Sequence, residues 1–364
     1  MKNYRAVLVG TGGIGEAHVR AVEFTQGRVS LVAACDIDPT RAQDFCAKFK
    51  IPTAHTDYAS MLREEKPDIV LIAAPPGLHA GMSIAAMEAG AWVMCEKPLC
   101  ASLAEFDQIE AAEKRTGCHT ASVFQMRFAS SNTHVRSLLL AGTFGRPLVA
   151  VCNTLWFRDA AYYAVPWRGR WKTELGGPTM SQGIHTMDHL LHLFGAWTEV
   201  KAVADTLYHD IEVEDVSMAL VKFANGARAS IVNSTLCPRQ ETYLRLDCEK
   251  ATVELTHLYA YKQENWKMTP ADPATGADLT AAWEQFPPDV GSTHGAQLVT
   301  LVENMDHQTT PLTSGAEARR TLEFLTAIYK SAYTDLTVKC GSIQAGDPFY
   351  TALNGGMAPP RVKK

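Results

Sequence analysis

Long apolar runs are missing from this chain. No stretch reaches the ~18 residues that a membrane-spanning helix requires, so a membrane partner is not expected. An excess of positive charge is missing as well. The 34 Lys and Arg are outnumbered by 39 Asp and Glu, the formal net charge is -5, and the one basic cluster is the terminal Arg361-Val362-Lys363-Lys364. A nucleic-acid partner is therefore not expected, and that tail reads as a solvated end. The nine cysteines are odd in number and contain no C-x-x-C pair, which excludes a regular disulfide framework. Cys35, Cys95 and Cys118 fall in or just after apolar runs and read as small buried hydrophobes in a reducing compartment. Internal repeats, low-complexity segments and a secretory h-region ahead of the first strand are also lacking, and no metal site is expected. What remains is a cytoplasmic globular enzyme, with two domains as the natural division of 364 residues.

The informative stretch comes first. Arg5-Ala6-Val7-Leu8-Val9 is an apolar strand that stops at Gly10, and Gly10-Thr11-Gly12-Gly13-Ile14-Gly15 follows at once. A helical pattern succeeds it (Ile14, Ala17, His18, Ala21, Val22), and a second apolar run, Leu31 to Cys35, ends in Asp36. Strand, glycine loop, helix, strand and terminal acid in that order form the dinucleotide-binding pattern. The glycines allow the tight turn and the close approach of a pyrophosphate, which rests on the free N–H groups at the positive helix end. Gly10, Thr11, Gly12, Gly13, Ile14, Asp36 and Ile37 are thus candidate cofactor contacts. A carboxylate at Asp36 accepts from a ribose 2′-OH and repels a 2′-phosphate, and Ile37-Asp38-Pro39 supplies no Arg, so NAD is favoured over NADP.

Strand and helix then alternate. Asp68 to Ala74 is a continuous apolar run suited to a strand buried on both faces, ending at Pro75-Pro76-Gly77-Leu78-His79. Ala91 to Cys95 is another, ending in Glu96-Lys97-Pro98, followed by a helix from about Ser102 to Arg115 and a strand from Cys118 to Phe124. This grammar predicts a doubly wound parallel sheet over residues 1–124. Ligands of such sheets lie beyond the strand carboxyl ends, where Ala74, Pro75, His79, Glu96, Lys97 and Gln125 fall. From 125 to about 340 the pattern turns to alternating apolar and polar runs, with Asn225-Gly226 as a hairpin signal between two of them. A second α/β domain with a largely antiparallel open sheet is expected there, followed by a loosely held tail over 341–364. The segment 270–291 reads as a long surface or functional loop.

Four motifs together resemble the glucose-fructose oxidoreductase / inositol dehydrogenase / MocA family: the glycine loop at 10–15, Ala74-Pro75-Pro76-Gly77-Leu78-His79, Cys95-Glu96-Lys97-Pro98, and Gly183-Ile184-His185-Thr186-Met187-Asp188. The resemblance implies a Rossmann domain, a C-terminal α/β domain whose sheet often joins subunits into a dimer or tetramer, and NAD-dependent oxidation or reduction of a sugar, cyclitol or sugar-derivative hydroxyl. It assigns the catalytic lysine to Lys97 and the catalytic histidine to His185. Four residues before that histidine the family commonly carries Asp or Asn, and here Ser181 stands.

These residue types suit the chemistry. Removing a hydride from a carbinol carbon also requires loss of the hydroxyl proton, which a histidine accepts near neutral pH. A lysine ammonium stabilises the developing alkoxide. With Ser181 uncharged, Asp188 becomes the candidate for orienting His185 as a third catalytic residue. Lys97, His185, Ser181, Arg127, Tyr163, Trp167 and Arg168 are the candidate substrate contacts, because sugar C–H faces stack on aromatic rings and Arg offers forked donors. The same aromatic loop, with Tyr162 and Trp171, equally suits a packed interface. Three rival readings stay open: an NAD-dependent redox-cycling glycoside hydrolase, an NAD-binding regulator on the same fold, and a zinc hydrolase using His185, His189 and His192.

Overall fold

A computed structural model describes residues 2–273 and 276–361, so Val362 to Lys364 of the basic tail and residues 274–275 of the loop 270–291 lie outside it. The chain divides into two compact units, residues 1–125 with 293–320, and residues 126–292 with 321–364.

The first unit carries six parallel strands: β1 (Tyr4–Val9), β2 (Val29–Cys35), β3 (Thr53–His55), β4 (Ile69–Ile72), β5 (Trp92–Cys95) and β6 (Thr120–Ser122). They are ordered β3-β2-β1-β4-β5-β6, so the order reverses between β1 and β4. Every residue of β4 and β5 is buried, which is why these segments read as unbroken apolar runs. The connecting helices are α1 (Gly13–Phe24), α2 (Pro39–Phe49), α3 (Tyr58–Glu65), α4 (His79–Glu88) and α5 (Leu103–Thr116). Local chemistry sets their ends. Asp38 caps α2 by accepting from Thr40 and Arg41 N–H, with Pro39 in the first turn, and Ser102 caps α5, which stops at Gly117 in a left-handed conformation. At Gly10, φ is +94° and a Cβ would lie 2.4 Å from the Ala73 carbonyl oxygen, so only glycine fits between β1 and the glycine loop.

The sequence places all of 125–340 in one domain, and the structure corrects this. The helix His294–His307 packs on α1, and Gln297 bonds both the Phe124 N–H (3.1 Å) and the Ser122 carbonyl (2.7 Å), filling the edge of the parallel sheet. Such a long-range return leaves no mark in local periodicity.

The second unit carries eight strands: β7 (Pro147–Leu155), β8 (Trp197–Asp205), β9 (Val216–Phe223), β10 (Arg228–Ser234), β11 (Glu241–Cys248), β12 (Ala251–His257), β13 (Trp266–Pro270) and β14 (Val338–Lys339), ordered β13-β12-β11-β7-β10-β9-β8-β14. All pairings are antiparallel except β7 with β10. Asn225-Gly226 turns β9 into β10, and β9 alternates buried with exposed positions as a one-sided sheet requires. The helix Gly183–Phe194 is buried along its whole length and packs against β7 and β11. Its first residue must be small, since a Cβ on Gly183 would meet Asn233 Oδ1 at 2.0 Å.

Two expectations change here. The segment 270–291 contains a helix, Ala277–Trp283. The C-terminal segment is held rather than loose: Ile343, Phe349 and Leu353 are buried, Thr206 N–H donates to the Pro360 carbonyl (3.0 Å), and Arg361 donates to the Ile211 carbonyl (2.5 Å). Glycine and proline at 355–360 signal only irregular backbone, while the anchoring contacts are long-range. Among the described residues no helix is long and apolar enough to cross a membrane.

Candidate active site

The strand carboxyl ends of the first unit gather the nucleotide candidates. Asp36, one residue beyond β2, accepts at Oδ2 from the Thr11 N–H (3.1 Å) and hydroxyl (2.8 Å), and at Oδ1 from the Asp38 N–H (3.1 Å). Burial pushes its carboxyl up, but these hydrogen bonds outweigh it and the net shift is down, so the group is an anion at neutral pH. Ile37 is exposed, and Gly12, Gly13 and Ile14 open α1. One expectation fails at this point. Asp36 does have a basic neighbour: Arg41 Nη2 lies 3.7 Å from its Oδ2 and the same distance from where a Cβ on Gly12 would sit. Arg41 is five residues beyond Asp36, and the first turn of α2 swings it back toward the glycine loop.

At the end of β4, Ala74 and Pro75 lead into a short 3-10 turn, Pro76–Leu78, and then His79, whose Nε2 lies 2.8 Å from the Ala74 carbonyl and whose Nδ1 lies 2.7 Å from the Pro98 carbonyl. Burial lowers the His79 pKa against the pull of those two oxygens. Next along the edge, Glu96 is buried and Lys97 half-buried, with a cis peptide to Pro98. His18 Nε2 and His294 Nε2 contact Glu96 Oε1 at 3.2 and 2.9 Å. Burial raises the Glu96 pKa, yet those two contacts bring it well below the usual carboxylate range. Both distances are those of direct hydrogen bonds. Sequence reading missed both histidines: His18 appeared only as a helix position, and His294 is 198 residues from its partner. Gln125 is buried at the end of the same unit.

The second unit holds the remaining candidates. His185 is buried in the first turn of its helix, edge-on to the Tyr259 ring at 6.2 Å. Ser181 lies one short turn earlier and donates to the Gly177 carbonyl (2.8 Å). That turn is seated on buried Glu214, which accepts from the Gly177 and Thr179 N–H groups (3.0 and 3.1 Å) and from the Tyr329 hydroxyl (3.0 Å).

Asp188 does not match its expected role. Both of its oxygens bind Arg127, Nε at 2.7 Å and Nη2 at 2.5 Å, and Oδ1 also accepts from Thr321 (2.7 Å). Arg127 in turn is fully buried, with Nε and Nη2 donating to Asp188. The pair joins residues 61 apart, beyond any helix-face rule. Tyr163 donates to the Thr235 hydroxyl (3.1 Å), and Arg168 is bound to buried Glu174 (2.5 Å) and stacked over Trp167 at 3.8 Å. Among Tyr162, Tyr163, Trp167, Arg168 and Trp171, Trp167 alone is exposed. For the zinc reading, His189 Nε2 contacts Asn132 Oδ1 (2.7 Å) and its ring stacks on Tyr261, and among the described residues no metal-spaced group includes it or His185.

Comparison with known proteins identifies the family of both parts of the chain. The family described as an oxidoreductase family with an NAD-binding Rossmann fold, GFO/IDH/MocA, matches residues 4–124, and the GFO/IDH/MocA C-terminal domain matches residues 132–254. D-apiose dehydrogenase of Paraburkholderia graminis is 26% identical over 98% of this chain and 95% of its own length. Inositol 2-dehydrogenase of Salmonella typhimurium is 31% identical over 40% of this chain and 44% of its own. Among solved structures, the WlbA dehydrogenase of Chromobacterium violaceum, in complex with NADH and UDP-GlcNAcA, superposes with a TM-score of 0.83 at 28% identity, over 94% of this chain and 98% of that one.

Proposed function

Because the chain belongs to the GFO/IDH/MocA family of NAD-binding oxidoreductases, we propose that it transfers a hydride between NAD and a secondary hydroxyl or carbonyl carbon of a sugar, cyclitol or sugar derivative. The observation that carries this reading is Lys97, half-buried at the end of β5 on the same sheet edge as the glycine loop and Asp36. A half-buried ammonium at the strand edge where α/β sheets bind ligands is well placed to stabilise an alkoxide. NAD supplies the hydride acceptor when bound, and Gly10 to Ile14 with Asp36 are the residues to hold it. Gly10 to Gly13 fit a pyrophosphate, and Asp36, ionised, fits a ribose hydroxyl.

The rest is the work of the chain's own side chains. Lys97 holds its proton and polarises the substrate oxygen, while His185 accepts the hydroxyl proton on oxidation and returns it on reduction. Ser181 and Trp167 are the remaining substrate contacts, one a hydroxyl and the other an aromatic face. The exposed face of the second sheet carries Val203, Met218 and Leu220, each at least half exposed and adjacent across β8 and β9. Such a patch suits a homo-oligomer contact. Seven cysteines, Cys35, Cys46, Cys95, Cys100, Cys118, Cys152 and Cys248, are buried, as befits a reducing cytoplasmic setting. The reading is tested with a panel of polyols, aldoses and sugar acids plus NAD, followed by absorbance of the reduced nicotinamide. Net accumulation of NADH with one class of sugar is the expected result, whereas glycoside cleavage without net NADH would favour the redox-cycling hydrolase.

A further inference from the structure

Glu96 is buried immediately ahead of Lys97, and both of its oxygens are engaged. Oε1 meets His18 Nε2 and His294 Nε2, at 3.2 and 2.9 Å, and Oε2 accepts from the backbone N–H of Lys97 at 3.4 Å. His18 belongs to α1, the helix opened by the glycine loop, and His294 begins the helix His294–His307. One carboxylate therefore joins three elements that lie 78 and 198 residues apart along the chain. Cys95, just ahead of it in β5, and Ile72, at the end of the neighbouring β4, are buried and apolar, so Glu96 places a charge next to apolar strand ends. A buried carboxylate is costly to desolvate, and here two imidazoles and a peptide N–H are arranged to offset that cost.

We propose that Glu96 is a positioning residue for Lys97: His18 and His294 fix its carboxylate against the Lys97 peptide, and its negative charge keeps the Lys97 ammonium protonated. This rests on the catalytic reading of Lys97 given above. The titratable groups that face Glu96 are His18 from α1, His294 from its own helix, and His79 from α4, besides Lys97. Burial favours the neutral ring for His18 and His79, which leaves Glu96 as the anion of the group. The histidines act as N–H donors. A glutamine amide supplies such a donor at similar reach without titrating, and a leucine does not.

The test reads Lys97 directly and needs no sugar. Lysines are reductively methylated with 13C-formaldehyde and titrated by NMR, and the Lys97 signal is identified by its loss in Lys97→Arg. In Glu96→Gln the Lys97 midpoint is expected to fall by about one pH unit or more, since removal of a nearby negative charge disfavours the ammonium. His18→Gln and His294→Gln are expected to titrate within a few tenths of wild type. His18→Leu and His294→Leu are expected to shift in the same direction as Glu96→Gln, because a carboxylate stripped of a donor is no longer held beside the Lys97 peptide. Thermal melting and NADH binding confirm that each variant is folded. A Lys97 midpoint unchanged in folded Glu96→Gln overturns the proposal, and so do glutamine and leucine variants that behave alike. Should Lys97→Ala retain wild-type turnover on the sugar panel, the catalytic reading of Lys97 fails separately, whatever the titration gives.

Discussion

At the scale of single residues, Asp36 and Arg41 make opposite demands on an adenosine ribose. The ionised carboxylate disfavours a 2′-phosphate, and the guanidinium 3.7 Å away partly offsets that repulsion. NAD is still expected to bind more tightly than NADP, by about tenfold, or ~1.4 kcal/mol. Titration of both cofactors checks this. Asp36→Ala is expected to narrow the gap and Arg41→Ala to widen it, and equal binding of the two cofactors by the wild type would contradict the assignment. The Arg127–Asp188 pair makes a different prediction from the one that sequence spacing suggests. Asp188→Asn leaves a buried guanidinium short of its counter-charge, so a stability loss of about 3–5 kcal/mol is expected in denaturant unfolding. Replacement of both partners by apolar residues should recover much of it. A fully stable Asp188→Asn with only a shifted pH-rate profile would restore Asp188 to the orienting role. Sequence could show that Asp188 is an acid near His185; it could not show that an arginine 61 residues upstream takes both of its oxygens.

At the scale of elements, what was legible follows from periodicity and strand ends. The strand ending at Gly10, the one ending at Asp36 and the one ending at Glu96-Lys97 could be read because each is an apolar run broken by residues that a strand excludes. The short β3, the return of His294–His307 to the first unit and the anchored C-terminal segment could not, because tertiary contacts rather than local pattern define them. The turn at Gly10 gives a direct check. Gly10→Ala would force a Cβ onto the Ala73 carbonyl at a left-handed φ, so a loss of about 1–3 kcal/mol and of NADH binding is expected by melting and fluorescence titration. Unchanged cofactor binding would mean that the loop can relax. In the second unit, burial brings His189 and His257 down to about 3 and about 4 from 6.5. Their folded forms refuse protons that the unfolded chain accepts. Stability is therefore complete above pH 6.5 and falls as pH drops toward 4, by about 1–2 kcal/mol per pH unit for each ring. Denaturant unfolding between pH 7 and 5 should show that slope, and a flat profile would contradict the buried neutral rings.

At the scale of the whole molecule, the chain combines an NAD-binding Rossmann unit with a second unit built on a broad, mostly antiparallel sheet. If the exposed Val203, Met218 and Leu220 face joins subunits, light scattering should report a dimer or tetramer, and Met218→Lys with Leu220→Lys should release monomers. A monomeric wild type would remove that role from the sheet. The central claim is hydride transfer to NAD from a sugar-type hydroxyl, with Lys97 and His185 acting on the oxygen. Its most direct test is the formation of reduced nicotinamide by wild type, Lys97→Ala and His185→Ala on the same panel of polyols, aldoses and sugar acids. Turnover of at least one sugar class by the wild type is expected, with a fall in kcat of about 10²-fold or more in each variant and NADH affinity little changed. Turnover by either variant close to wild type, or no NADH from any member of the panel, would contradict it.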